Sequence, residues 1–295
     1  MKNPFYILLL VFSFGISTIH AQHELAYSLK VGDSFRIAQK AIQNIKMTMD
    51  DQDHNLTNTL EGSFQFKVQD ELAGSYIIET FFEEIKLKTE SDILGTLNDV
   101  DTSRESDADD MEANIFKGLL DSPFYMTLRK DGKIVKLEGA DQLLESMLKS
   151  GGIEDASTKE LVKQGVEKQF GAESLAASME QMTYMFPQRS VGVSDSWNNE
   201  FTGDLTALNT WTLDYHDASE FKISCTSTIK LNTGEDTVAM ELEGIQNSRA
   251  VISTESGFLK TLDVEQKASG TTIMNDMGGA EVDTTIDATI NYKRI

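Results

Sequence analysis

The chain has 295 residues, of which 48 are acidic and 26 basic, so its formal net charge is −22. A field of this sign repels nucleic acid and anionic lipid headgroups at long range, which argues against a nucleic-acid-binding protein. The single cysteine, Cys225, excludes an intramolecular disulfide.

The first 21 residues have the three parts of a secretory signal peptide. Lys2 is the basic residue, residues 5–16 are apolar, and residues 19–21 fit a cleavage site. The alternative is an N-terminal membrane anchor, but the apolar run is shorter than the roughly 20 residues of a spanning helix. Removing 21 of 295 residues leaves 274, and the loss of Lys2 moves the net charge from −22 to −23. We expect an exported protein, periplasmic or extracellular, without a transmembrane span.

Alternation of apolar and polar residues predicts β-strands over most of the mature chain. Residues 25–31, 35–49 and 60–68 alternate, and residues 280–292 do so most regularly. Residues 76–87 are apolar at both parities, which predicts a strand buried on both faces or a long bent strand with a bulge. One wet face and one buried face are typical of antiparallel sheets, so we predict a mainly β (α+β) fold.

Helical patterns are confined to the middle of the chain. Apolar residues between Leu143 and Leu148 form one stripe that ends at Gly151 and Gly152. Ser157 with Glu160 predicts a capping box for a second helix that runs to Phe170. A third stripe spans residues 175–186 and stops at Pro187. Amphipathic helices need an apolar surface to cover, so we expect this segment to pack over the sheet.

Two pairs of similar stretches suggest an internal duplication. Residues 31–35 (VGDSF) and 193–197 (VSDSW) are polar turns that close onto an aromatic residue, and residues 126–134 and 252–259 are both strand, glycine turn and strand. In the first hairpin, Asp131 and Gly132 predict a tight turn with positive φ at both residues. The alternative is that such turns recur by chance.

This pattern divides the chain into four parts: a signal peptide (1–21), a first antiparallel β half (22–138) with an acidic insertion (91–120), a helical segment (139–187) and a second antiparallel β half (188–295). Two curved sheets and one open barrel are both compatible with it.

The acidic insertion has oxygen-bearing residues near the spacing of a calcium loop, namely Asp99, Asp101, Ser103, Glu105, Asp107 and Asp110. Arg104 occupies the position that needs glycine, and Asp110 replaces the closing glutamate. We therefore expect a solvated, mobile loop instead of a calcium site, anchored at its far end by Met111, Ile115 and Leu119.

Reactive groups are scarce. The mature chain has three histidines, His23, His54 and His216, and none of them pairs at metal-ligand spacing. No nucleophile elbow, phosphate loop or dinucleotide fingerprint is present. We therefore predict no catalytic, cofactor-binding or metal-binding residue, no cofactor and no enzymatic activity. Cys225 shares the apolar parity of its strand and is expected to be buried.

Several aromatic residues fall at strand parity, where core packing is the ordinary interpretation and a ligand cavity is the alternative: Tyr76, Phe81, Phe82, Trp197, Trp211 and Tyr215. The methionines Met179, Met182 and Met185 offer an adaptable binding lip or, more often, core.

Some local features together resemble a family of uncharacterised exported proteins common in Bacteroidetes: the signal ending at residues 21–22, the turn at 30–33, the hairpin from Pro123 to Gly132, the stretch 170–175 (FGAESL), and Pro187 followed by 193–197. The resemblance implies no activity. The architecture is more loosely similar to periplasmic lipoprotein carriers, in which helices cover a curved antiparallel sheet that holds acyl chains.

Two functions compete on this basis. The first is non-enzymatic binding of a hydrophobic small molecule or lipid between sheet and helices, which predicts a cavity lined by aromatic residues and by Phe170, Met179 and Met182. The alternative is a structural or protein-interaction scaffold of the cell envelope, in which Asp107, Asp109 and Asp110 face a partner protein.

Overall fold

A computed structural model describes residues 22–49, 52–107, 110–120, 122–234 and 238–295. The signal peptide predicted over residues 1–21 lies outside these residues. The strands are β1 (Ser34–Met49), β2 (Gln52–Leu72), β3 (Ser75–Ser91), β4 (Gly95–Asp101), β5 (Phe124–Arg129), β6 (Ile134–Glu138), β7 (Ser196–Phe201), β8 (Leu205–His216), β9 (Glu220–Gly234), β10 (Val238–Ser253), β11 (Leu259–Met274) and β12 (Ala280–Arg294). The helices are α1 (Met111–Lys117), α2 (Ala140–Ser150), α3 (Ala156–Phe170) and α4 (Ala172–Thr183).

Within the described residues, all the strands belong to one antiparallel sheet of twelve strands in the order β6-β5-β3-β2-β1-β12-β11-β10-β9-β8-β7, with β4 paired to the far half of β3. The chain starts at the centre of the sheet and winds to the β6 edge. The helices then carry it to the β7 edge, and it winds back until β12 pairs with β1. The predicted mainly β, antiparallel fold with a helical segment is confirmed, and the two β halves share one open sheet.

The sheet curves until its two edges lie on either side of α4 and the residues that follow it. On the β6 edge, the Ile134 N–H donates to Glu180 of α4 at 2.9 Å. On the β7 side, the Asn199 amide donates to the Tyr184 carbonyl at 2.6 Å and the Trp197 indole N–H to the Met185 carbonyl at 2.9 Å. The concave face therefore holds the core, with α4 across its opening.

The N-terminal segment, residues 22–31, closes one end of this curved sheet. Its Tyr27 N–H donates to the Lys130 carbonyl in the β5–β6 turn at 2.8 Å, and its Ser28 N–H donates to the Ser256 carbonyl in the β10–β11 turn at 2.9 Å. Leu25, Tyr27 and Leu29 are buried. The predicted strand over residues 25–31 is wrong, because this segment bonds to turns and makes a single bridge, from His23 to Val191.

The turns at residues 31–35 and 193–197 have the same structure. In the first, the Lys30 N–H donates to the Asp33 carboxylate at 2.9 Å, and Gly32 and Asp33 exchange main-chain bonds with Val68. In the second, the Gly192 N–H donates to the Asp195 carboxylate at 2.8 Å, and Ser194 and Asp195 exchange main-chain bonds with Leu213. The matched bonds support the duplication hypothesis, which stays a prediction, as does the division into domains.

Three local predictions need correction. The α3 cap is Asp155, whose carboxylate accepts from the Thr158 N–H at 2.8 Å, and not Ser157. In the β5–β6 turn only Gly132 has positive φ, because the connection has four residues instead of the two of a tight turn. The Asp131 carboxylate accepts from the Lys133 N–H at 3.1 Å. Helix α4 ends at Thr183, so Phe186 belongs to the connection before Pro187.

Two further predictions concern β3 and the acidic insertion. In β3 the alternative of a long bent strand is correct, because a register shift opposite Ser63 and Phe64 brings both Phe82 and Ile85 onto the core face. The acidic insertion is not a simple loop, since β4 pairs with β3 and α1 follows. Of the three predicted anchor residues in and just after α1, Leu119 is buried and Ile115 is partly buried, whereas Met111 is exposed.

The two matched turns give a test of backbone strain. Gly32 has φ +94° and Ser194 has φ +75°, a region that costs a residue with a Cβ about 1–2 kcal/mol. We expect Gly32→Ala to lower the free energy of unfolding by about 1 kcal/mol and Ser194→Gly to raise it. Urea denaturation followed by circular dichroism measures both changes.

The control is Gly165→Ala in α3, where a Cβ meets open space in ordinary helical backbone. This substitution should stabilise the protein by about 1 kcal/mol. Equal effects of the alanine substitutions at positions 32 and 165 would contradict the interpretation.

Candidate functional site

A cavity of about 390 Å³ lies between the concave face of the sheet and the helices. It is partly open to solvent, and its size falls within the ~300–1,000 Å³ typical of small-molecule sites. Its lining residues are Gln39, Ala41, Ile42, Gln43, Asn58, Leu60, Phe64, Phe82, Gln169, Phe170, Leu175, Ser178, Met179, Gln181, Met182, Gln266, Ala288, Ile290 and Tyr292.

Aromatic rings form one wall of the cavity. The ring of Phe82 lies between those of Phe64, 5.3 Å away, and Phe170, 6.4 Å away. Phe170 is the last residue of α3 and also meets Phe116 of α1 edge-on at 6.2 Å. The bulge in β3 turns Phe82 into this wall.

The floor comes from three neighbouring strands at the centre of the sheet. Gln39 and Tyr292 are register partners, as are Ala41 and Ile290. Ala288 lies between Gln43 on β1 and Gln266 on β11. The floor is thus an apolar row with amides and a phenol at its ends.

Some of these polar groups already have partners and some do not. The Gln43 side chain accepts from the Asn58 amide at 3.0 Å, and Asn58 accepts from Thr89 at 2.9 Å. Among the described residues, no hydrogen bond joins the side chains of Gln39, Gln266 or Tyr292 to another protein group. Burial raises the pKa of Tyr292 to about 12, so its phenol stays neutral.

Helix α4 forms the roof and is fixed by a buried carboxylate. Glu180 is 7% exposed, accepts from the Ile134 N–H at 2.9 Å and pairs with the Lys133 ammonium at 3.0 Å. The same ammonium lies 5.1 Å from the Tyr184 ring centre. These contacts position Leu175, Met179 and Met182 over the floor.

The residues predicted to line a cavity divide into two groups. Phe82, Phe170, Met179 and Met182 line it. The other candidates lie elsewhere: Tyr76, Trp197, Trp211 and Met185 are core residues, and Phe81 and Tyr215 face away. Core packing was the favoured interpretation of the aromatics and holds for Tyr76, Trp197 and Trp211.

Sequence analysis missed the polar floor. Gln39 and Gln43 share the parity of Ile37, Ala41 and Ile45, and Gln266 shares that of Val264 and Ala268. The sequence did contain a signal for this floor, namely amide side chains at core positions of otherwise apolar strands. Such groups need a hydrogen-bond partner when they are buried.

Cys225 is buried, as predicted. Burial raises the pKa of its thiol to about 11, and the sulfur lies 3.4 Å from the Ser227 hydroxyl. The thiol is therefore protonated at neutral pH and unsuited to nucleophilic chemistry.

The calcium-like residues of the insertion are occupied by other contacts. Arg104 lies 3.5 Å from the Asp99 carboxylate and 3.1 Å from that of Asp101, and Asp110 caps α1 by accepting from Ala113. Asp109 lies outside the described residues. In the described ranges, no three side chains of His, Cys, Asp or Glu come together in a way that could hold a metal ion.

A second depression, of about 510 Å³, lies between the N-terminal segment and the β5–β6 turn. Two of its three cationic side chains are already engaged, and the third, Lys130, is exposed. Arg129 pairs with Asp131, and Arg189 donates to the carbonyls of Ser190 and Ser196. We therefore regard the apolar cavity as the better candidate site.

Two histidines that are distant in sequence meet in the structure. The ring centres of His23 and His216 are 3.7 Å apart, and His216 stacks on Phe221 at 4.7 Å. Partial burial and the neighbouring His216 lower the pKa of His23. Asp217, next in the chain, bonds to Ser219, Glu220 and Tyr215.

Comparison with known proteins shows a family and a fold. The family described as "Family of unknown function (DUF6263)" matches residues 73–259. No curated protein matches the chain. A solved structure titled "Lipid-protein interactions in lipovitellin" superposes on 91% of the chain with a TM-score of 0.50 and 10% identity. The chain spans 25% of that protein's length, so the likeness concerns the fold alone. Among the helices described, none has the length and apolar character that crossing a membrane requires.

Removing the Glu180 carboxylate should loosen the roof. We expect Glu180→Ala to lower the free energy of unfolding by about 2–3 kcal/mol, because the Ile134 N–H loses its acceptor and Lys133 its partner. Glu180→Gln keeps an acceptor and should cost about half as much. Urea titration measures both, and Glu173→Gln on the exposed first turn of α4 is the control, with a change under about 0.5 kcal/mol.

The histidine pair predicts a pH dependence. The pKa of His23 is lower in the folded state than its ordinary 6.5, so the unfolded chain binds more protons as the pH falls below that value. Stability should be fully present above this pH and decline below it, and His23→Phe should flatten the decline. Urea denaturation between pH 7.5 and 5.0 tests this. An unchanged slope in His23→Phe would contradict the assignment.

Proposed function

We propose a ligand-binding function for this chain, which belongs to the Family of unknown function (DUF6263). The ligand is a hydrophobic or amphiphilic small molecule held between the sheet and α4, and the protein binds it without catalysing a reaction.

The cavity between the aromatic wall and α4 carries this proposal. The rest of the concave face is filled by packed side chains, yet the rings of Phe64, Phe82 and Phe170 and the Met179 and Met182 side chains border unfilled space. Apolar surface left against water costs about 25 cal/mol per Å². A ligand that covers this surface recovers that free energy.

The composition of the walls favours adaptable binding. Met179 and Met182 have unbranched, polarisable side chains that repack around different shapes. Phe170 lies at the end of α3, within which no described residue is buried, so this part of the wall has few contacts that fix it. Such a wall suits a class of related ligands better than one rigid shape.

The lipovitellin structure supports the proposal only in outline. Its title concerns lipid–protein interactions, and its likeness to this chain is one of fold. A large curved antiparallel sheet with helices across its opening is compatible with an apolar ligand, but function depends on the cavity and its side chains.

The proposal includes export, since the features of residues 1–21 are those of a cleaved signal peptide. The ligand would then be met outside the cytoplasm, in the periplasm or beyond it. The mature protein, whose net charge is −23 once Lys2 is removed from the full chain's −22, is also well suited to remain dispersed there.

Protein purified from its own cell envelope should carry the ligand. We expect native mass spectrometry to show a mass greater than the denatured mass, and the difference identifies the bound molecule. The same protein, after extraction of the ligand, should bind the neutral fluorophore Nile red with a rise in fluorescence.

Filling the cavity should abolish both the extra mass in native mass spectrometry and the rise in Nile red fluorescence. Ala41→Phe places a ring on the half-buried floor, whereas Ala38→Phe places the same ring on the outer face of the same strand. We expect Ala41→Phe to weaken Nile red binding roughly tenfold or more and Ala38→Phe to leave it unchanged. Thermal unfolding confirms that both variants are folded. Wild-type binding by folded Ala41→Phe would rule out this cavity.

A further inference from the structure

We infer that the ligand is an uncharged, single-chain amphiphile whose polar end is a hydroxyl group held at one end of the floor, either by Gln39 and Tyr292 or by Gln266. This inference rests on the proposed function and names the ligand class for the same cavity.

Among the described residues that line the cavity none is Asp, Glu, Lys or Arg, although these four residue types make up 25% of the chain. Two cations that neighbour the floor amides in sequence point the other way. Lys40, next to Gln39, pairs with Glu61 at 2.8 Å, and Lys267, next to Gln266, pairs with Asp287 at 3.2 Å, both on the outer face. A carboxylate or phosphate in the cavity would therefore have no cationic partner.

Main-chain donors are not available either. The floor strands β1, β12 and β11 pair without interruption across the cavity, so their N–H groups are used by the sheet. An anion normally needs several donors or a cation when it leaves water, and a bare ammonium needs acceptors of similar strength. The lining supplies neither the donors or cation that an anion needs nor the acceptors that an ammonium needs.

The floor supplies amide and phenol side chains, which suit a neutral polar group. A glutamine amide both donates and accepts, and a phenol does the same, so each can bond a hydroxyl. The side chains of Gln39 and Gln266 have no partner among the described protein groups, and Tyr292, which also has none, remains neutral. These three groups are open to a ligand.

Their placement sets the orientation of the ligand. Gln39 and Tyr292 face each other at one end of the row formed by Ala41 and Ile290, and Gln266 lies at the other end, beside Ala288. Four residues of strand separate the two ends, about 13 Å. A hydroxyl at either end leaves its alkyl chain along the apolar row and against the phenylalanine wall.

The test compares three molecules with the same alkyl chain. Dodecanol, kept below its aqueous solubility, and dodecanoate and dodecylammonium, each kept below its micelle concentration, are titrated against bound Nile red at pH 8. We expect dodecanol to displace the dye at concentrations on the order of tenfold or more below either ion, because each ion must lose its hydration without a partner.

A charge placed on the floor should reverse this preference. Gln266→Lys adds a cation beside the ligand and should tighten dodecanoate about tenfold while weakening dodecanol. Thr289→Lys is the control, since position 289 is exposed on the outer face of β12 and adds the same charge to the protein. Thermal unfolding confirms that both variants are folded.

The outcomes separate the two proposals. Failure of Nile red and of all three molecules to bind would overturn the ligand-binding function itself. Binding of dodecanoate as tight as dodecanol would overturn the inference and leave the function standing. Tightest binding by dodecylammonium, or an equal effect of Thr289→Lys, would also overturn the inference, because the net charge of the protein and not the lining would then determine the preference.

Discussion

The structure depends on the contact between α4 and the two edges of the sheet. An open sheet leaves unpaired main-chain groups along its edges and an uncovered apolar face. Glu180 accepts from the β6 edge, while the carbonyls of Tyr184 and Met185 accept from side chains on β7. The same stretch places Leu175, Met179 and Met182 over the core. One short segment thus contacts both edges, holds the curvature and covers the concave face.

The interior of the curved sheet is divided between filled and unfilled regions. Near the N-terminal segment, Tyr27, Phe35 and Phe258 pack closely, with ring centres 4.1 Å apart for the last pair. Towards the middle of β1 and β12 the core residues become smaller or polar, as at Ala41, Ala288 and Gln39, and the space above them is not filled. The change from large rings to small side chains along the same strands produces the cavity.

Much of this architecture was predictable from the sequence, because period-two alternation and glycine turns report directly on strands and hairpins. The bend in β3 was one of the two alternatives that its apolar pattern left open, and the burial of Cys225 and the positions of Phe170, Met179 and Met182 followed from residue spacing. The structure of residues 25–31 could not be predicted in this way, since an extended segment that bonds to turns shows the same apolar–polar alternation as a strand. The contact between His23 and His216 and the pairing of Gln39 with Tyr292 could not be predicted either. Both depend on long-range pairing that local sequence patterns do not contain.

The pairing of β1 with β12 has a consequence for how the protein is made. The first and last strands of the sheet are neighbours at its centre, more than 230 positions apart on the printed sequence. The sheet is incomplete until β12 has been synthesised, and before that the inner edge of β1 is unpaired. Contacts so far apart in sequence slow folding and lengthen the exposure of strand edges. Such a chain favours late, cooperative folding, after the last of the twelve described strands has been synthesised.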